Sequence, residues 1–192
     1  MKSNMSSVTK EVIAAFLLCA VNILLKCDYF STLANAEVLD VTKFYVENAE
    51  IWIVNTTMPT FNFCEVDFVR KTSMKYAFFN RTYFWNHTTR DLLGQFKKNS
   101  TSNVFDTMMV APYHGTSFES MDQLVYSDES YTCGIFNVTM FTHWRKSYFD
   151  IRVKQPVIRS PSPSCVEKFV QLSTGQRVRT LYNDSCQNNR RW

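Results

Sequence analysis

The sequence predicts an all-β protein of one domain, with eight antiparallel strands that form either a closed up-and-down barrel or a sandwich. Short runs rich in β-branched and aromatic residues alternate with polar clusters from Glu50 to Lys154. The 192 residues include 16 Phe and 9 Tyr but only 4 Gly and 5 Pro, which favours long strands over a loop-rich miniature fold. The predicted strands cover residues 50–55, 61–70, 74–85, 89–97, 103–111, 120–127, 131–141 and 147–154.

The N-terminus has the pattern of a secretory signal peptide. Lys2 and Lys10 precede an apolar run over residues 12–25, and an Ala-Asn-Ala cleavage pattern ends at Ala36. The run is shorter than the roughly 20 residues that span a bilayer, which favours a cleaved signal over a signal anchor. We therefore expect a signal peptide over residues 1–36, with an earlier cleavage site as the alternative, and a secreted protein without a membrane anchor.

A short helix is expected directly after the signal peptide. Residues 37–48 place Val38, Val41 and Tyr45 at helical spacing, which predicts an amphipathic helix that closes one end of the barrel. The folded domain is expected to span residues 37–187 as a monomer, and the polar residues 188–192 are expected to form a disordered tail.

A second helix is expected after the last strand, over about residues 165–173. Ser164 and Glu167 have the spacing of a capping box, which predicts the start of this helix. Its apolar face is expected to contain Val166, Phe169 and Val170, and the helix is expected to pack outside the barrel. Gly175 is the expected C-terminal stop.

Cleavage at Ala36 leaves four cysteines, Cys64, Cys133, Cys165 and Cys186. An even number in an oxidising compartment predicts two disulfides, and four cysteines allow three pairings. N-glycosylation sequons fit the same compartment. The six candidate glycosylation sites are Asn55, Asn80, Asn86, Asn99, Asn137 and Asn183.

Charge and residue types argue against several classes of function. The net charge of +4 is spread along the chain, so we expect no nucleic-acid partner. His87, His114 and His143 are scattered, without a second ligand at i+2 or i+4, which favours histidines that are solvent-facing or already satisfied over a metal site. Disulfide formation would leave no thiol nucleophile. We expect a binding protein with no catalytic activity, no cofactor and no metal.

Three segments of the C-terminal third carry a resemblance to a known family. They are Tyr126-Ser127-Asp128, the Cys133-x-Ile135 start of the following strand, and Cys165-x-x-Lys168-Phe169 with Gly175 and Cys186 after it. With them the chain resembles the tick salivary lipocalins of the histamine-binding type, over about residues 37–186. The family pattern is Cys-Asp-aliphatic, then Glu-Leu-aromatic, then Cys. The spacings fit, but Gly134 replaces the Asp and Asp150-Ile151-Arg152 replaces Glu-Leu-aromatic.

The resemblance implies an eight-stranded antiparallel lipocalin barrel with a short N-terminal helix and a C-terminal helix packed outside. It also implies the disulfides Cys64–Cys186 and Cys133–Cys165. Each closes a long loop of the unfolded chain and would contribute roughly 2–4 kcal/mol, so Cys64→Ala should destabilise strongly. The implied function is that of a salivary scavenger that removes a small inflammatory mediator and so modulates host defence.

Strand alternation predicts which side chains line the pocket. If Asn137 carries a glycan and faces solvent, Gly134 and Phe136 face inward together with Val138 and Met140. The same argument from Asn80 turns Phe79 and Arg81 inward together with Ala77 and Tyr83. Because Arg is rarely buried unpaired, an Arg81 that is merely solvated at the barrel mouth is favoured over a ligand contact.

Two interpretations of the last strand remain open. In one, Phe149, Ile151 and Val153 face the core and the charged residues face water. In the other, which follows the resemblance, Asp150 and Arg152 face inward as ligand contacts. Both faces of this strand could be covered, so the pattern does not choose between them.

The expected ligand is a small molecule, and three hypotheses compete. A biogenic amine such as histamine or serotonin needs a desolvated carboxylate or an aromatic cage, for which Asp150, Glu65 and Asp67 are candidates. An anionic lipid, such as a leukotriene or fatty acid, would use Arg152 or Arg81. Alternatively, surface loops, above all residues 111–119, bind a host immune protein. Trp52 is expected to pack in the core.

Overall fold

The computed structural model describes residues 39–101, 103–141 and 146–188. The predicted signal peptide, Val38, His143 and residues 189–192 of the predicted tail lie outside these ranges. The described residues form an eight-stranded antiparallel barrel with few helices, which confirms the predicted fold class. The barrel strands are Glu50–Thr56 (β1), Glu65–Thr72 (β2), Tyr76–Tyr83 (β3), Thr88–Lys98 (β4), Phe105–Pro112 (β5), Ser120–Ser127 (β6), Cys133–Met140 (β7) and Ser147–Lys154 (β8).

The strands follow one another around the barrel in chain order. Each pairs antiparallel with the next, and β1 closes the sheet because it pairs with both β8 and β2. A ninth strand that the sequence did not predict, Arg179–Thr180 (β9), pairs with the end of β1. Closure removes the free sheet edges that an open sandwich would leave.

Two predicted strands begin too early because single residues adopt a left-handed backbone. Cys64 has φ 56°, so β2 begins at Glu65 and not at residue 61. Tyr131 has φ 54°, so β7 begins at Cys133 and not at residue 131. A residue in this region cannot continue an extended strand. The β6 and β8 bounds are those predicted.

The N-terminal helix is one turn long, Val41–Phe44 (α1), so the predicted helix over residues 37–48 is wrong in its extent. Asp40 caps it by accepting a hydrogen bond from the Thr42 amide at 3.0 Å. Tyr45 leaves helical geometry, and its ring turns into the barrel with that of Phe44. The turn closes the end of the barrel at which β1 starts, which we call the closed end. The opposite end, where β1 stops and β2 starts, is the open end.

The C-terminal helix is Pro163–Leu172 (α2), and two details of its prediction are wrong. Ser162 is the N-cap and makes no side-chain capping bond, so the capping box of Ser164 and Glu167 does not form. Val166 and Val170 are 39% and 61% exposed. Phe169 is buried as predicted, and Cys165 is buried with it, because the Cys133–Cys165 disulfide turns that side of the helix toward the barrel.

The barrel wall separates two apolar clusters. Inside lie the rings of Phe44, Tyr45, Phe79 and Phe136, with aliphatic residues of several strands. Outside, under α2, lie Ile135, Ile151, Val153 and Phe169. The wall is therefore covered on both faces along β7 and β8. A 3-10 turn, Gln155–Val157, and a last short helix, Ser185–Asn188 (α3), were not predicted.

Two disulfides tie the C-terminal segment to the barrel. They are Cys64–Cys186 and Cys133–Cys165, the pairs that the resemblance implies. The bonded residues lie 122 and 32 positions apart, so both bonds close long loops of the unfolded chain. No helix in the described part of the chain is long and apolar enough to cross a membrane.

Trp52 lies in the outer cluster, as core packing predicts. Its ring is fully buried against Phe84 and Tyr182, at centroid distances of 5.9 and 5.0 Å. Its indole N–H donates to the side chain of Gln155 at 2.6 Å. The residue therefore fixes the C-terminal segment against β1.

Candidate functional site

A cavity of about 80 Å³ lies inside the open end of the barrel. A single water molecule needs about 10–15 Å³ of cavity volume, so the cavity has room for a small ligand. Its polar walls come from β1, β2, β3, β4, β6 and β8 and from the loops that join strands at this end. The polar and charged side chains on its walls are Thr56, Thr60, Asn62, Glu65, Arg81, Tyr83, Arg90, Glu119, Ser120, Tyr148 and Asp150.

On the β2–β3 side of the barrel, two carboxylates meet one guanidinium. Arg81 donates from Nε and Nη2 to the two carboxylate oxygens of Asp67, at 2.7 and 2.8 Å. Its Nε also lies 3.4 Å from the Glu65 carboxylate. Asp67 is fully buried and the Arg81 side chain is only 13% exposed. The prediction of a solvated Arg81 is therefore wrong, because a charged hydrogen-bond partner in β2 compensates for its burial.

On the opposite side, Arg152 lies fully buried among acceptors. Its Nη2 donates to Asp122 at 2.7 Å and to Asp150 at 3.1 Å, and its Nη1 donates to the Tyr45 hydroxyl at 2.7 Å. The guanidinium carbon lies 4.3 Å from the centroid of the Phe136 ring, a cation–π contact. The Tyr45 hydroxyl in turn donates to Asp67 at 2.9 Å, which joins the two clusters across the barrel.

The last strand has the side-chain orientation of the second interpretation, but of its two inward charged residues only Asp150 lines the cavity. Asp150 and Arg152 face the interior, whereas Ile151 and Val153 pack outward in the cluster under α2. Burial by the helix explains why the aliphatic residues could face away from the barrel. The alternation predicted from Asn137 also agrees with the structure, since Gly134, Phe136 and Val138 are buried on the inner face.

Gly134 leaves room for the closed-end plug. A Cβ added at this position would lie 2.7 Å from a ring carbon of Phe44 and 3.1 Å from Leu124. The ring of Phe44 thus fills the space that an aspartate side chain would need at this position. Phe79 and Phe136 extend this aromatic packing around Tyr45, at centroid distances of 5.5 and 6.1 Å. Side chains therefore fill the half of the barrel interior at the closed end.

The sequence reasoning missed Asp122 and the role of Tyr45. Asp122 is fully buried, accepts from Ser120 at 2.6 Å and pairs with Arg152. Its strand partner in β7 is Val138, which strand alternation places on the inner face. Extending that alternation across the strand pair would have identified Asp122 as an inward carboxylate.

The described interior carries more carboxylates than cations. Glu65, Asp67, Asp122 and Asp150 face only two guanidiniums, those of Arg81 and Arg152. Burial raises the pKa of Glu65 to about 7, although Arg81 nearby lowers it. Burial also raises the pKa of Asp150 despite the opposing effect of Arg152. These two carboxylates line the cavity, so a cation there would relieve the excess of negative charge.

An ion pair stands at the mouth of this cavity. Arg90 of β4 donates from Nη2 to both carboxylate oxygens of Glu119, at 2.8 and 2.9 Å. The two side chains are 41% and 28% exposed. The pair bridges β4 to the loop before β6 and passes over the end of β5. Arg90 therefore pairs with Glu119 and belongs to neither of the two interior clusters around Arg81 and Arg152.

The remaining predicted positions lie away from this cavity. His87 and His114 lie in turns, and the described residues contain no group of three or more His, Cys, Asp or Glu side chains that could hold a metal ion. Among the sequon asparagines, Asn86 and Asn183 are exposed, whereas the other four are half-buried. The half-buried ones are Asn55, Asn80, Asn99 and Asn137.

Comparison with known proteins supports the fold and leaves the family open. No protein-family model matches the chain, and no curated protein matches it in sequence. Among solved structures, the AM182 serotonin complex matches with a TM-score of 0.58 and 17% identity, over 77% of this chain and 92% of that one. The siderocalin Ex-FABP, described as functioning through dual ligand specificities, matches with a TM-score of 0.50 and 11% identity, over 74% and 92%. At these identities the likeness shows the fold alone, which is that of the lipocalins.

Proposed function

We propose that the protein is a secreted lipocalin of the tick histamine-binding type that sequesters a small cationic amine, such as histamine or serotonin, in its open-end cavity. The observation that carries this proposal is the excess of buried carboxylates in the barrel interior, four against two guanidiniums, with Glu65 and Asp150 of the four on the cavity wall. An ammonium group bound between Glu65 and Asp150 would compensate for that excess and replace the water that the two carboxylates lose. The protein would hold its ligand stoichiometrically and modulate host defence by removing it, without chemical turnover.

The cavity walls suit an aromatic amine. Tyr83 and Tyr148 line the cavity together with the two carboxylates, so a ring could pack on them while the ammonium faces an acid. The fold is shared with a protein solved as a serotonin complex, which agrees with this ligand class. The two disulfides fit an extracellular trap that must stay folded.

An anionic lipid fits the interior less well. The cations that it would need are already paired with carboxylates. Arg81 pairs with Asp67 and Glu65, and Arg152 pairs with Asp122 and Asp150, which leaves only its Nε without a hydrogen-bond partner among the described residues. Buried aromatic rings fill the closed half of the barrel, where a long acyl chain would have to lie. A carboxylate ligand would also add negative charge to an interior that already has an excess of it.

Calorimetric titration of the secreted, oxidised protein with histamine, serotonin and a leukotriene tests this proposal. We expect saturable binding of an amine with one-to-one stoichiometry, and weaker or no binding of the leukotriene. Glu65→Gln and Asp150→Asn should each weaken amine binding at least tenfold, because each removes a buried charge partner. Glu129→Gln, at an exposed loop position at the closed end, is the matched control and should bind as the wild type does.

Leukotriene binding without amine binding, lost in Arg152→Ala, would overturn the amine proposal in favour of an anionic ligand. If none of the three ligands binds, the amine proposal is also wrong. The alternative is then a host immune protein that binds through the surface loops. Amine binding that survives both carboxylate variants would reject the placement of the ligand in this cavity.

A further inference from the structure

The outer face of β3, β4 and β5 carries an uncovered apolar strip. Two adjoining surface grooves of about 270 and about 200 Å³ lie along it and share Tyr76 and Leu93. The strip continues to Phe78, whose ring lies 4.7 Å from that of Tyr113. Tyr76 and Tyr113 are 39% and 48% exposed. The strip therefore presents partly exposed aromatic rings side by side on the outer surface of the sheet.

A glycosylation sequon lies at the edge of this strip. Because side chains alternate along a strand, Phe78, Asn80 and Thr82 share the outer face of β3. Across the sheet, Asn80 stands opposite Phe68 of β2 and Asp91 of β4. The amide is therefore flanked by the ring of Phe78 along its own strand and by that of Phe68 across the strand pair. None of the other five sequons has a partly exposed aromatic residue two positions before its asparagine on a strand face.

The Asn80 side chain can accept a glycan without losing its contacts. Its Oδ1 accepts a hydrogen bond from Arg70, and its Nδ2 donates to Asp91. Glycosylation replaces one of the two hydrogens on Nδ2, so the other can still reach the Asp91 carboxylate. The residue is partly exposed at the outer surface, and a glycan that starts there can turn onto the neighbouring rings.

We propose that Asn80 carries an N-linked glycan whose first sugars pack over Phe78 and Tyr113 and cover part of the apolar strip. The proposal requires passage through a glycosylating compartment, which the proposed function includes. Nδ2 attacks the anomeric carbon of a lipid-linked oligosaccharide. The N–C bond forms, the bond from that carbon to the lipid diphosphate oxygen breaks, the diphosphate leaves with the bonding electrons, and Nδ2 gives up one proton.

The packing follows from the shape of a pyranose. The C–H face of the sugar is apolar and flat enough to lie on an aromatic ring, where it removes apolar area from water on both partners. The glycan would then stabilise the fold, and would do more than shield the surface. The same glycan elsewhere, without rings beside it, would gain nothing from this contact.

The test is a mutant cycle on the full chain produced in two hosts, with wild type, Asn80→Gln, Phe78→Thr and the double variant. Protein secreted from insect cells is analysed by glycopeptide mass spectrometry and thermal unfolding. Bacterial protein refolded with its disulfides carries no glycan and measures the effect of the side-chain changes alone. Asn99→Gln is the matched control, because Lys97 stands two residues before that sequon asparagine.

We expect Asn80 to be occupied, and Asn80→Gln to lower Tm by about 2–4 °C more in the secreted protein than in the bacterial protein. This extra loss should disappear in the Phe78→Thr background and be absent for Asn99→Gln. An unmodified Asn80 peptide, or an extra loss that is zero or unchanged by Phe78→Thr, would overturn the proposal. If Phe78→Thr does not fold, Tyr113→Ser replaces it as the background in which the effect of Asn80→Gln on Tm is measured. Ligand binding is not part of the readout, so this result is independent of the amine test.

Discussion

The two ends of the barrel interior differ in what fills them. At the closed end, the rings of Phe44, Tyr45 and Phe136 pack within 5.2 to 6.1 Å of one another. At the open end, Glu65 and Asp150 line a cavity with hydroxyl groups and a mouth ion pair. Close packing of apolar side chains stabilises the folded state. Buried carboxylates beside a cavity cost stability, because they lose water without gaining a full set of partners. The comparison therefore assigns the stability of the fold chiefly to the closed end, and the proposed ligand would bind at the open end.

Phe44→Ala should have the largest effect on stability. The ring is fully buried and plugs the closed end, so its removal leaves a cavity and should lower the free energy of unfolding by about 3–5 kcal/mol. Denaturant unfolding measures the change. Phe61→Ala is the control, since Phe61 is 90% exposed, and it should change stability by less than about 0.5 kcal/mol. Similar losses in the two variants would contradict the assignment of stability to the closed end.

Arg152→Met should destabilise the protein by about 3 kcal/mol at pH 7, because Asp122 and Asp150 lose their buried counter-charge. The loss should shrink at pH 5, because burial already raises the pKa of Asp150 and the loss of Arg152 removes the charge that lowers it, so this carboxylate takes up a proton. Urea unfolding of the variant at both pH values tests this, with the exposed Arg177→Met as the control. A loss that does not depend on pH would mean that packing on Phe136, and not charge, accounts for the effect.

Sequence patterns predicted the barrel better than the orientation of its last strand and of the C-terminal helix. A period of two fixes the inner face of β7, since Asn137 and Phe136 differ clearly in polarity. The same period leaves β8 undecided, because α2 covers its outer face and both sets of side chains are buried. The orientation of α2 depends on a disulfide to β7, which local helical spacing cannot reveal.

The charge clusters were predicted only in part for a related reason. Arg81 and Asp67 are fourteen residues apart, and their contact depends on the register of β2 against β3. Asp122 pairs with Arg152 from a strand two positions around the barrel. A charged side chain can be buried when an oppositely charged partner lies beside it. Residue type alone places Arg81 in solvent and gives no sign that Asp122 is buried.

Glu65 should make the ligand-free protein less stable as pH rises. Its pKa of about 7 in the folded state lies above the value of 4.5 expected in the unfolded chain. The folded state therefore binds the proton more tightly, so the stabilisation is complete below pH 4.5 and is lost as pH rises through about 7. The loss amounts to about 3 kcal/mol at its limit. Chemical unfolding between pH 5 and 8 should show this decline in the wild type and a smaller one in Glu65→Gln.

Amine binding should follow the opposite pH trend. A cation binds the ionised form of Glu65, and the fraction ionised rises about tenfold between pH 6 and pH 8 for a pKa of about 7. Serotonin should therefore bind about tenfold more tightly at pH 8, since its alkylammonium stays protonated. Calorimetry at pH 6 in two buffers of different ionisation enthalpy should detect up to about one proton released on binding. In Glu65→Gln both the proton release and the pH trend should vanish, and a trend that persists would assign it to Asp150.

The mouth ion pair should affect ligand entry far more than stability. Arg90 and Glu119 are partly exposed, so breaking their pair should cost no more than about 1 kcal/mol. Each variant nevertheless changes the potential at the entrance. Arg90→Gln removes a positive charge and should speed the association of a cationic amine, whereas Glu119→Gln should slow it. Stopped-flow association rates at low and high salt measure both, and the difference between the variants should shrink as salt screens the mouth. If the association rate changes in the same direction in both variants, the paired side chains obstruct the entrance sterically, and their electrostatic potential does not control entry.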